Sequence, residues 1–309
     1  MQITNTILMI RPVNFRMNEQ TAVNNYFQED LDLKNAEINT KAQQEFDAFV
    51  AALKAKGVNL IVVDDTKVPD TPDSIFPNNW ISFHDDGTVG LYPMFAENRR
   101  NERREDILDM LEKLGFVIES VMDYTAAESD NLFLEGTGSL LLDRVNKIAY
   151  CALSDRADED LFIEFCEDFD YGPVIFTANQ TVDGKRLPIY HTNVMMGLGE
   201  SFAIICLDTI DDKKERKNVV DHLKKSGKEI ISITEAQMHH FAGNMLQVLG
   251  ANGKRLMVMS SAAFNSLSKD QIHAIEKNSE IVHSSLDTIE TCGGGSARCM
   301  MAEVFLPKE

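Results

Sequence analysis

The chain alternates between two kinds of hydrophobic spacing. From Ala42 to Lys56 the apolar residues Phe46, Phe49, Val50 and Leu53 fall on one helical face, and the run stops at Gly57. A nearly continuous apolar stretch follows, Val58 to Val63, which has the length of a strand. The same order recurs at Asp106–Leu114, Gly115 and Phe116–Ile118, and again at Glu159–Phe169, Gly172 and Val174–Phe176. It returns at Lys217–Lys225, Gly227 and Ile230–Ile233, and finally at Lys269–Lys277, Asn278-Ser279 and Ile281-Val282. Glycine or asparagine at such a stop suits the left-handed turn that ends a helix. The stops at 57, 115, 172, 227 and 279 are separated by 58, 57, 55 and 52 residues.

A near-constant period of this size indicates a repeat architecture. Further strand-like runs lie between the helices: Thr6–Ile10, Thr88–Pro93, Ser139–Leu142 with Lys147–Leu153, Phe202–Leu207 and Arg255–Ser260. Each unit then holds a helix and about three strands. The expectation is an α/β fold of five ββαβ-type repeats forming a five-bladed propeller, one domain over residues 1–309. The competing expectation is a two-domain α/β protein with evenly spaced helices.

Polar residues keep the same phase. Asn79, Glu135, His191, Asn244 and Cys299 lie 22, 20, 19, 17 and 20 residues after their stops, each near the entry to a strand-like run. In a propeller such positions converge on the axis, so Cys, His and Glu distant in sequence share one pocket. A cysteine nucleophile with an oriented base needs that arrangement. The final loop, Cys292-Gly293-Gly294-Gly295-Ser296-Ala297-Arg298-Cys299, bends tightly and delivers Cys299 to an apolar run, Met300–Leu306, expected as a buried strand. With Arg298 beside it and loop N–H groups nearby, Cys299 is expected to be held partly as thiolate. Taken singly, Cys299 and His191 fit ordinary core positions better than catalytic ones.

Composition narrows the function. The 309 residues are 44% hydrophobic and 26% charged, as in a globular protein, and the net charge of -19 argues against nucleic acid. The first ten residues lack a basic region and a cleavage-like site, and no apolar run approaches membrane-spanning length, so a cytoplasmic protein is expected. Five irregularly spaced cysteines do not form a disulfide framework, although Cys292 and Cys299 are close enough in sequence to leave their pairing open. Cys151, Cys166 and Cys206 read as buried and inert. His239-His240 lacks a metal-ligand spacing, and neither metal nor organic cofactor is expected.

Other stretches offer ligand contacts. Pro72 to Trp80 is rigid and presents Asp73, Asn78 and Asn79. Glu135, beside two glycines at a strand start, needs a partner if buried, and His191 is the candidate. Arg156 offers a guanidinium to a carboxylate. Arg99-Arg100 and Arg103-Arg104, followed by Glu105 and Asp106, read as a solvated helix start. Met195–Gly199 and Gly87 are places for a mobile lid.

The ordered set Phe76-Pro77-Asn78-Asn79, Leu134 to Gly138, Ser154-Asp155-Arg156, His191-Thr192-Asn193 and Gly293 to Met300 resembles the pentein, or guanidino-group-modifying, superfamily. That resemblance covers nearly the whole chain. It implies the five-bladed propeller and a catalytic Cys299, His191 and Glu135. It also implies Asp73 on a substrate ammonium, Arg156 on its carboxylate, and Phe76, Asn78, Asn79 and Asn193 around the rest. The family's two guanidinium-binding aspartates fall at Asn79 and Asn193, and the last residue of its acidic glycine motif is Gly138. Two amides do not compensate a buried guanidinium but match the donors and acceptors of a ureido group. Within the superfamily the sequence looks most like citrulline ureidases. The leading expectation is therefore hydrolysis of citrulline to ornithine, ammonia and carbon dioxide through an S-carbamoyl cysteine. The alternatives are a deiminase-, dimethylaminohydrolase- or amidinotransferase-type enzyme acting on a guanidino substrate, with Asp85 or Asp86 reaching in, and a non-catalytic binding propeller. A small amino acid is the expected partner, and a homo-oligomer is allowed.

Overall fold

In the computed structural model, which describes all residues from Met1 to Glu309, the period seen in the sequence becomes five three-stranded sheets of one design. The first sheet contains β1 (Thr6–Arg11) and β2 (Asn59–Asp64), joined by helix α1 (Asn35–Ala55). The second holds β3 (Ile81–Phe83), β4 (Thr88–Leu91), α2 (Glu105–Lys113) and β5 (Ser120–Asp123). The third holds β6 (Leu140–Asp143), β7 (Ile148–Leu153), α3 (Glu159–Asp168) and β8 (Gly172–Thr177). A hairpin, β9 (Asn179–Val182) and β10 (Lys185–Pro188), leads to the fourth: β11 (Met196–Leu198), β12 (Phe202–Ile205), α4 (Lys213–Lys225) and β13 (Glu229–Ser232). The fifth holds β14 (Leu246–Leu249), β15 (Arg255–Ser260), α5 (Lys269–Glu276) and β16 (Glu280–Ser284). After α6 (Asp287–Gly293), strand β17 (Ala302–Glu303) returns to pair with β1, completing the first sheet from the opposite end of the chain. In every sheet the middle strand runs antiparallel to one neighbour and parallel to the strand reached through the helix.

The helices form where the apolar spacing puts them. Ile38, Ala42, Phe46, Phe49 and Leu53 make one buried stripe on α1, in a core cluster that also contains Cys292 and Cys299. The chain turns after α1, α2 and α4 at Gly57, Gly115 and Gly227, with φ of 80°, 84° and 77°. Two expected stops work differently. Gly172 is already the first residue of β8, and Asp170 (φ 57°) makes the left-handed turn, while Asn278 is not left-handed at all.

Three other expectations are corrected. Phe116–Ile118 is not a strand: β5 lies further on, and Phe116 bridges to Lys308 while its ring joins the core. Met300–Leu306 supplies only the two-residue β17, because Met300 and Met301 complete a turn buried under α1. Met195–Gly199 is no lid, since Met195, Met196 and Leu198 are core residues of the largest cluster. No helix is long and apolar enough to cross a membrane.

Candidate active site

The short turns that precede the first strands of the sheets carry the polar residues. Asn79 ends a turn before β3, Glu135 opens the turn before β6, and His191 caps the turn before β11. Asn244 stands two residues before β14 and Cys299 three before β17. Backbone turns at strand entries leave side chains aimed out of the sheets rather than into their cores. A cavity of about 10 Å³ takes three of them, Asn79, His191 and Cys299, which line it with Asp73, Phe76, Arg99, Arg156 and Tyr190; Glu135 bonds to His191 and Asn244 to Cys299.

Glu135 is fully buried and its Oε2 lies 2.7 Å from His191 Nε2. The backbone N–H of Phe95 donates to its other oxygen at 3.0 Å. Burial alone would push the Glu135 carboxyl up; Arg156, His191 and Arg99 outweigh it and hold it at about 2. Burial drives the His191 imidazole down to about 4 despite Glu135, so at neutral pH the ring is uncharged and ready to accept a proton. The imidazole nitrogen not held by Glu135, Nδ1, faces Gly138. A Cβ there would lie 2.8 Å from it and 2.4 Å from Asn79 Nδ2. An aspartate at 138 therefore has no room, which explains that departure from the superfamily pattern.

Cys299 is 3% exposed, and its Sγ receives amide N–H groups from Asn244 at 3.1 Å and Asn193 at 3.4 Å. Arg298, expected beside the thiol, turns away: it donates to Met301 O at 2.7 Å and pairs with Glu303 at 2.8 Å. All five cysteines are free thiols, so Cys292 and Cys299 are not joined.

Asp73 accepts from Asn18 and Thr21 through one oxygen, and its Oδ1 is buried without a partner. Arg156 lies over the Tyr190 ring, donates to Thr21 O and Asn24, and stands 3.7 Å from Glu135. Phe76 packs beneath the Gly loop, within 3.0 Å of Cβ positions on Gly293 and Gly295. Asn79 Oδ1 accepts from Arg99 at 2.9 Å, which leaves its Nδ2 buried and free. Asn193 Oδ1 is likewise unpartnered. Two proposed contacts do not line the cavity: Asn193, which stands behind the Cys299 sulfur, and Asn78, whose side-chain polar atoms are both buried without partners.

Arg99, expected as part of a solvated helix start, lies instead beside Glu102, a residue the sequence did not single out. Both are buried. Arg99 donates Nε and Nη2 to the two Glu102 oxygens at 2.9 Å, and sits 3.8 Å from Glu135 and 3.9 Å from Asp73. Burial pushes Glu102 upward, with Arg99 opposing. The run Glu97 to Asp106 gives no sign of this, since its charges outnumber its apolar residues. Asp85 and Asp86, which the guanidino alternative called on, are exposed in the turn between β3 and β4. His239 packs on Phe27 at 5.2 Å, and no cluster of three or more His, Cys, Asp or Glu is placed to hold a metal ion.

Over this site lies residues 18–29. Asn25 donates to Gly293 O and Gly294 O, Gln28 to Cys292 O, and the Glu29 N–H to Thr291 O. An amino acid does not fit in the space beneath while these bonds hold.

The fold is that of the guanidino-modifying pentein superfamily. The chain belongs to the family described as N,N dimethylarginine dimethylhydrolase, eukaryotic, whose model matches residues 11–306. Among solved structures it is similar to an arginine dihydrolase from the ornithine-ammonia cycle in cyanobacteria: TM-score 0.75, 18% identity, covering 98% of this chain and 41% of that one. The chain thus spans under half of that protein. Against that enzyme's N-terminal domain, a mutant bound to substrate, the TM-score is 0.71 at 17% identity, covering 97% of each chain. A dimethylarginine dimethylaminohydrolase adduct with S-methyl-L-thiocitrulline gives TM-score 0.66 at 13% identity, covering 97% of this chain and 99% of that one. The comparison with curated proteins gave no match. These likenesses establish a mixed α/β pentein fold.

Proposed function

We propose that this chain is a cysteine-dependent hydrolase that cleaves a terminal carbon–nitrogen bond of a guanidino amino acid of the arginine type. We also read the five sheets as the blades of a propeller spanning 1–309, with the cavity at its hub. The observation that carries the functional reading is the joint placement of the Cys299 thiol and the Glu135-bound His191 on one cavity, with Arg99, Arg156 and Asp73 around it.

Charge accommodates the guanidino substrate. With Glu102 ionised, Asp73, Glu102 and Glu135 exceed Arg99 and Arg156 by one negative charge; with Glu102 protonated, as burial favours, the groups balance. A guanidinium entering the cavity is thus met by ionisation of Glu102, an adjustment that zwitterionic citrulline does not call on. The protein-family match and the similar solved structures point the same way. The citrulline expectation thus yields first place.

In the mechanism, the Cys299 sulfur attacks the terminal carbon and its proton passes to His191 Nδ1. The departing nitrogen takes that proton and leaves as ammonia. Water then gives a proton back to His191 and attacks the carbon, and the Sγ–C bond breaks to regenerate the thiol. Glu135 orients the ring and stabilises its charged form. Asp73 Oδ1 is the acceptor for the substrate ammonium, and Arg156 is the donor to its carboxylate once residues 18–29 release it.

A second reading, hydrolysis of a ureido group to ornithine and carbamic acid, is favoured by one observation. The free Asn79 Nδ2 and Asn193 Oδ1 supply one donor and one acceptor, the complement of a ureido carbonyl and its N–H. Ammonia and ornithine release from arginine and from citrulline, measured separately, decides between them. Ammonia from arginine supports the first reading; turnover of citrulline alone replaces it with the second. Activity on neither, at any pH from 6 to 9, removes both.

A further inference from the structure

The site described above leaves unexplained what stabilises negative charge on Cys299. The neighbouring cation is engaged elsewhere, and His191 is neutral in the resting site. Asn244 is the closest polar contact of the sulfur, and three bonds fix the direction of its amide. Its Oδ1 accepts the backbone N–H of Arg298 at 3.0 Å, and its Nδ2 donates to Asn193 O at 3.1 Å and to Cys299 Sγ at 3.1 Å. Flipping the amide would set Oδ1 against a carbonyl oxygen and the sulfur, and Nδ2 against an N–H. The orientation with hydrogen toward sulfur is therefore the only satisfied one.

We propose that Asn244 is a catalytic residue: its amide N–H, with that of Asn193 as the weaker second donor, stabilises the Cys299 thiolate in place of a cation. An amide donor suits this site better than a fixed charge. It strengthens as the sulfur becomes an anion and adds no further positive charge beside a cationic substrate. Asn244 also ties the His191–Asn193 turn to the Cys299 turn, so that base and nucleophile keep one geometry. Asp73, Arg156, Arg99 and Tyr190 line the cavity with the sulfur: an ionised Asp73 opposes negative charge there, the two guanidinium groups favour it, and Tyr190 stays a neutral phenol, held so chiefly by burial.

This proposal rests on Cys299 being the nucleophile, so its test uses no substrate. In the full chain, the rate of alkylation of Cys299 by iodoacetamide is followed against pH, with the modified peptide identified by mass spectrometry. The plateau rate reads access and the midpoint reads thiolate stability. Asn244→Ala is expected to move the midpoint up by about one pH unit and to slow alkylation about tenfold at pH 7. Asn193→Ala is expected to move it less, and Arg298→Ala not at all. If Asn244→Ala melts early, Asn244→Ser, which keeps a shorter donor, should fold and give an intermediate midpoint. Midpoints unchanged in both folded variants, or a larger shift in Arg298→Ala, would overturn the proposal. Failure of guanidino or ureido turnover with these shifts intact would instead count against the function and leave the amide role standing.

Discussion

A Cβ on Gly138 would lie 2.4 Å from Asn79 Nδ2 and 2.8 Å from His191 Nδ1, so this glycine sets where two site residues stand. Gly138→Ala is expected to lower kcat/KM about a hundredfold by displacing the imidazole, while the fold persists. Steady-state kinetics beside a thermal melt check it. The titrations of His191 and Glu290 have opposite signs. His191 titrates at about 4 when folded and near 6.5 when unfolded, so the unfolded chain binds the extra proton between those values. Stability is then lost as pH falls through that window. Glu290, 5% exposed and hydrogen-bonded by Ser296, is pushed by burial to about 7, with Ser260 and Ser296 opposing. Its contribution is present below 4.5 and lost as pH rises through 7. Glu290→Gln should therefore raise Tm relative to the parent more at pH 8 than at pH 5; a constant difference would refute the assignment. At this scale the sequence displays Cys299, His191 and Glu135 through their common phase. It hides Arg99 and Glu102, because an Arg/Glu pair three residues apart reads alike whether solvated or buried. Asn244 shared the phase, but its contact with sulfur depends on backbone groups that carry no residue signal.

Among the elements, the connecting helices were legible because each buries a stripe with helical spacing, and the structure moves their ends by only a few residues at most sites. α3 begins at an Asp158 cap whose side chain accepts from the N–H groups of Asp160 and Leu161. Asp158→Ala is expected to cost about 1 kcal/mol in denaturant unfolding. Strand β5 was illegible since three of its four residues are exposed, whereas the apolar Phe116 nearby is drawn into the core without joining a sheet. Residues 18–29 were illegible for another reason: their polar side chains bind carbonyls of a loop more than 260 residues away. Cutting those bonds with Asn25→Ala and Gln28→Ala together should raise the plateau rate of Cys299 alkylation several-fold and leave its midpoint unchanged. An unchanged plateau would mean that this segment does not govern entry.

Across the whole molecule, each of the five sheets contributes one turn to one place. The second sends Asn79, the third Glu135, the fourth His191 and Asn193, the fifth Asn244, and the first, through β17, Cys299. Buried polar groups so far apart in sequence stay satisfied only when all five modules are in place, which couples catalysis to the complete fold. The pairing of β17 with β1 has a direct bearing on this, because it fixes the Cys299 turn to the first sheet across nearly the full chain length. The measurement that bears most directly on the account is mass spectrometry of the protein quenched in acid during turnover of arginine. The account predicts a transient carbon adduct on the Cys299 peptide, absent in Cys299→Ala together with at least about a thousandfold loss of ammonia release. An adduct on another residue, or undiminished turnover in Cys299→Ala, would contradict it.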